Sequence, residues 1–76
     1  MAKYQGHKNW NYWNVSLWVN NDEGLYHMAV ELCSNNTRSV AAARMLAELN
    51  EMGIYKTEDG APFSVSSIRA AMAGII

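Results

Sequence analysis

The sequence predicts an all-α fold, a compact four-helix domain with a short Asp-Gly turn or minimal hairpin before the last helix. Three observations carry this expectation. Apolar residues recur at helical spacing in successive segments, one segment is dense in strong helix formers, and Asn, Asp, Thr and Ser stand where caps belong. Residues 1–8 are polar, carry Gly6, and read as a flexible lead-in; residues 9–76 form the single helical domain.

In the first helix Trp10, Trp13, Leu17 and Trp18 fall at i, i+3, i+7 and i+8 and make one apolar stripe, capped by Asn9 or Asn11. A stripe of this kind predicts contact with the core. Asn20-Asn21-Asp22 ends the helix. Asn20 is the expected cap of the second helix, with Glu23 three residues on as in a capping box. Leu25, Met28, Ala29, Leu32 and Cys33 then share a face, and Ser34-Asn35-Asn36 closes the segment.

The third helix starts at Thr37 or Ser39 and runs through Val40–Met52, where Ala, Leu, Met, Arg and Glu dominate. Ala42, Met45, Leu46, Leu49 and Met52 line its predicted inner side. Gly53 suits the positive φ of a helix C-terminal residue. Asp59-Gly60 is a hairpin signal, Tyr55 and Phe63 suit short extended arms, and Pro62 rules out a long regular strand. Ser64 caps the last helix, with Val65, Ile68, Met72 and Ile75 expected inward.

Composition narrows the class. Seventy-six residues, 50% of them apolar and 17% charged, suffice for one small core and argue against disorder. Net charge is −1, with six basic and seven acidic residues. That balance has neither the basic excess of a dedicated nucleic-acid binder nor the dense acidic face of a DNA mimic. Cys33 is the single cysteine, so no intramolecular disulfide forms, and a zinc site built on cysteines is excluded. The N-terminus lacks the apolar core of a signal peptide and no run is long enough to span a bilayer, so a cytoplasmic protein is expected.

No reacting group is specified. Glu23, His27 and Glu31 recur every four residues and form one outward row, which reads as a solvated face because no second histidine stands at ligand spacing. Ser64, Ser66 and Ser67 sit at a helix start, where capping alone accounts for serine, and neither His7 nor His27 is tied to them. The glycines are scattered singly, without a phosphate loop. The expectation is a protein that binds rather than catalyses, without cofactor or metal.

Two resemblances add to this. Ala43–Ile54 followed by Lys56–Arg69 resembles the small helix–turn–helix of large serine recombinases: an LNxxGI helix end, a polar turn, then a Gly-x-Pro-aromatic step and a helix with an apolar-Arg pair. The resemblance implies a recognition helix near Ser64 that exposes Ser66, Ser67, Arg69 and Ala70, with Lys56 beside it. Phosphate contacts use several Lys or Arg residues, however, and here Lys56 and Arg69 stand near Glu58 and Asp59. Trp13–Tyr26, reading WNVSLWVNNDEGLY, resembles the opening of small tailed-phage and mobile-element proteins. That likeness implies a phage setting, in which short non-enzymatic proteins block host machinery, as anti-CRISPR and other anti-defence inhibitors do.

The leading expectation is therefore a phage accessory protein in the host cytoplasm that occludes a host protein complex, such as a nucleic-acid-binding defence effector. Tyr12 and Val19 lie off the tryptophan stripe and are expected outside the core. With Asp22, Glu23 and Tyr26, Tyr12 is the expected partner-binding set, an aromatic surface rimmed by acids that suits a basic partner. The alternative is a small DNA-binding regulator using Lys56, Ser66, Ser67 and Arg69. Either a monomer or a homodimer is compatible with the apolar content.

Overall fold

Four helices follow one another in the computed structural model, which describes residues 9–75: α1 (Trp10–Asn21), α2 (Glu23–Asn35), α3 (Arg38–Glu51) and α4 (Val65–Ala73). The protein is an all-α four-helix domain. The predicted lead-in at residues 1–8 lies outside the described residues.

Local chemistry sets each boundary. Asn9 caps α1 by accepting the Tyr12 N–H at 3.0 Å. Asp22, not Asn20, caps α2: its Oδ1 accepts the Leu25 N–H at 3.0 Å, while its own N–H donates to the Trp18 carbonyl at 2.8 Å. One residue thus closes α1 and opens α2. Asn20 is used differently, its side chain donating back to the Ser16 carbonyl at 2.7 Å. Thr37 caps α3 and Ser64 caps α4, the latter in a reciprocal box with Ser67.

The C-terminus of α3 ends in a Schellman motif. Ile54 N–H donates to the Leu49 carbonyl at 2.8 Å and Gly53 N–H to the Asn50 carbonyl at 3.0 Å, with Gly53 at φ +79°. The chain then makes the minimal hairpin. Thr57 N–H donates to Ala61 O at 2.8 Å, Phe63 N–H to Tyr55 O at 3.0 Å, and Lys56 and Pro62 form a single antiparallel bridge. Gly60, at φ +99°, closes the turn on the Thr57 carbonyl.

The core is built from small and flexible side chains. Val15 and Val19 of α1, Ala29 of α2, Ala41, Ala42, Met45 and Leu49 of α3, and Ile68, Ala71 and Met72 of α4 are inaccessible to solvent. Ala61 and Phe63 close it from the hairpin, and Leu25, Met28, Leu32, Cys33, Leu46 and Ile75 pack around it. α1 and α3 both pack on α4, and α2 bridges α1 and α3.

Five expectations about facing are corrected here. α1 presents Asn14, Val15 and Val19 to the interior, so its buried line is rotated by about 100°, one residue, from the tryptophan stripe. Val19, expected outside the core, is fully buried, whereas Trp10 and Leu17 are exposed. Valine buries with no polar atom to satisfy, whereas an indole is larger and needs a partner for its N–H when buried. On α3 the inner face takes Ala41 and leaves Met52 exposed, because Met52 already belongs to the helix cap. On α4 Val65 is exposed, and Ser67, expected to be exposed for DNA, is buried by its capping role.

Candidate functional site

The hairpin is tied to α1 by a polar cluster. Asn14 Nδ2 and Trp18 Nε1 both donate to Asp59 Oδ2 at 2.9 Å. Thr57 Oγ1 donates to Asn14 Oδ1 at 2.6 Å and accepts the Ala61 N–H at 3.0 Å. Asn14 and Thr57 are buried, and among the described residues no buried side-chain polar atom lacks a partner. Asn14 and Trp18 are one helical turn apart, which is what lets both reach one carboxylate. Their two hydrogen bonds, Asn14's foremost, stabilise the ionised Asp59 and lower its pKa, against a smaller opposing effect of desolvation.

Trp18 and Thr57 of this cluster also line a cleft of about 460 Å³ between the α1–α2 junction and the segment leaving α3. Trp18, Leu25, Ile54, Tyr55 and Phe63 supply its apolar lining. Asp22, Lys56 and Glu58 supply its charged groups. Tyr55 is 62% exposed and Ile54 38% exposed, high values for residues that large and apolar. They are held outward by the backbone: the Schellman cap fixes where the chain leaves α3, and the hairpin bonds fix where it turns.

The expected partner-binding residues are only partly brought together. Asp22 lines the cleft, although one of its carboxylate oxygens is committed to capping α2. Glu23 and Tyr26 are exposed on the first turns of α2, where the Tyr26 ring meets His27 edge-on at 6.2 Å. Tyr12 is half-buried and stands ten positions before Asp22, about 15 Å along the helix. It is not part of the cleft.

Sequence reasoning missed Ile54 and Tyr55. Their signal was an apolar pair placed directly after a helix-ending glycine, with neither helical nor strand periodicity to bury it.

Of the residues expected to meet DNA, Lys56, Ser66 and Arg69 are exposed. The connection between α3 and α4 runs from Met52 to Ser64, longer than the turn of about three or four residues in a helix–turn–helix.

A family model matches the whole chain, residues 1–76. The chain belongs to DUF7249, a family of unknown function. No curated protein and no solved structure matches it.

Other chemistry-bearing groups of this DUF7249 chain are dispersed. Among the described residues no three His, Cys, Asp or Glu side chains converge to hold a metal ion, and the row Glu23, His27, Glu31 faces solvent. Burial raises the Cys33 thiol pKa, with Arg38 opposing, so the group stays protonated at neutral pH. A smaller groove of about 260 Å³ lies between α2 and α3, lined by Met28, Glu48, Glu51 and Met52. No described helix is long and apolar enough to cross a membrane.

Proposed function

We propose that this protein is a non-enzymatic binding domain that docks on a host protein complex and occludes it, the anti-defence, anti-CRISPR-like role of a phage accessory protein. The observation that carries the reading is the open apolar cleft, with Tyr55 and Ile54 held out into solvent on a hydrogen-bonded frame. Exposed aromatic side chains on a rigid support lose little conformational freedom on binding, which is why such residues anchor interfaces. The cleft is also within the size range of sites that accept an anchoring side chain. The mechanism is steric: the partner's own ligand is excluded, and no bond is made or broken.

The working surface moves relative to the sequence expectation. Of the expected set Asp22 remains in the cleft lining, Glu23 and Tyr26 lie outside it on the first turns of α2, and Trp18, Ile54 and Tyr55 become the centre. The DNA-regulator reading is supported less, since Ser67 is spent on capping and Glu58 and Asp59 place negative charge beside Lys56.

Affinity capture from bacterial host lysate, with and without nuclease, tests the proposal. A protein complex should be retained by the wild-type chain after nuclease and lost with Tyr55→Ala. Recovery of nucleic acid alone, abolished by nuclease and by Arg69→Ala, would favour the regulator instead.

A further inference from the structure

We infer that the cleft receives an arginine or lysine side chain carried on an otherwise apolar segment of the partner; the inference rests on the docking reading above and names the chemistry that reading leaves open. Three features of the cleft point to a cation set among apolar groups. Trp18, Tyr55 and Phe63 contribute aromatic surface to one lining, and a cation is attracted to the negative face of such rings. Asp22 and Glu58 bring two carboxylates to the same space against the single ammonium of Lys56, so the rim keeps a negative balance.

The third feature is the Trp18 indole, whose N–H donates to the Asp59 carboxylate at 2.9 Å. A charge-assisted bond of this kind pushes electron density into the ring and strengthens its attraction for a cation. An acidic segment would meet Asp22 and Glu58 as like charges. A wholly apolar segment would fill the cleft while leaving the rim's charge unused.

The test uses the whole 76-residue chain and a displayed heptapeptide library, counter-selected against Tyr55→Ala. The Tyr55-dependent pool should be enriched in Arg and Lys and depleted in Asp and Glu. A synthetic peptide from that pool should bind the double variant Asp22→Asn, Glu58→Gln about tenfold more weakly. Asparagine caps a helix as well as aspartate does, so this variant removes charge while keeping the start of α2; its melting curve checks that it does.

A Tyr55-dependent pool without basic enrichment, or binding indifferent to the double variant, overturns the inference and leaves the cleft as a docking face. A pool that ignores Tyr55, or no enrichment at all, overturns the inference together with the choice of face.

Discussion

Asn14 and Asp59 are separated by forty-five positions in the chain and joined by a 2.9 Å hydrogen bond. That bond links the first helix to the tip of the hairpin, and Trp18 doubles it from the next helical turn. The hairpin itself has only one bridge and would be marginal on its own. Its position, and therefore the position of the Tyr55 side of the cleft, depends on this anchorage to α1.

Asn14→Ala removes the bond to Asp59 and leaves the buried Thr57 hydroxyl without its acceptor. The expected loss of stability is about 1–3 kcal/mol. Urea denaturation measures it, and the Trp18 indole resonance should broaden or shift as the hairpin loosens.

Asp59 also makes stability depend on pH in a definite direction. Its pKa is lowered by Asn14 and Trp18, so the unfolded chain binds a proton there more readily than the folded one. The Asp59 contribution is then complete above the unfolded value, about pH 3.9, and is lost as pH falls through the lower folded value. Stability curves of the wild type and Asp59→Asn should accordingly stay fully separated above about pH 4, the wild type being the more stable, and draw together as pH falls below it.

Gly53→Ala tests the Schellman cap in isolation. A Cβ at this position meets nothing within 4 Å, so its cost comes from the positive φ alone. The expected destabilisation is about 1–2 kcal/mol, and Gly53→Asn should cost less because asparagine tolerates this conformation. Paired thermal melts of the two variants give the comparison.

The two methionines of the α3 stripe should part company. Met45 is fully buried and Met45→Ala is expected to cost about 2–5 kcal/mol. Met52 is 57% exposed, and Met52→Ala should stay within about 0.5 kcal/mol. Denaturant midpoints for the pair check the facing of the helix.

The elements that were legible in the sequence are those decided locally. Thr37, Gly53, Ser64 and the Asp59-Gly60 turn act through bonds to residues a few positions away, and each occupies the place its chemistry predicts. What periodicity does not resolve is the facing of a helix whose largest apolar residues are tryptophans. The stripe Trp10, Trp13, Leu17, Trp18 has the spacing of a core face, yet Val15 and Val19 are the α1 residues that enter the apolar core, and the Trp18 N–H is drawn to a carboxylate forty-one positions away. Asn20 gave way to Asp22 as cap for a related reason: the helix break lies where Asp22 can close both helices at once. The cleft was legible only through Asp22, because Ile54 and Tyr55 owe their outward position to a helix cap and a hairpin acting together.

Hydroxyl-radical footprinting of the purified complex tests the central claim most directly, since it reads side-chain exposure residue by residue. The account predicts that oxidation of Tyr55 and Ile54 is suppressed on binding, while exposed Val65 on α4 reacts as in the free protein. Protection of Val65 and the rest of the outer face of α4, with Tyr55 still fully reactive, would contradict it and move the interface to the helix of Ser66 and Arg69.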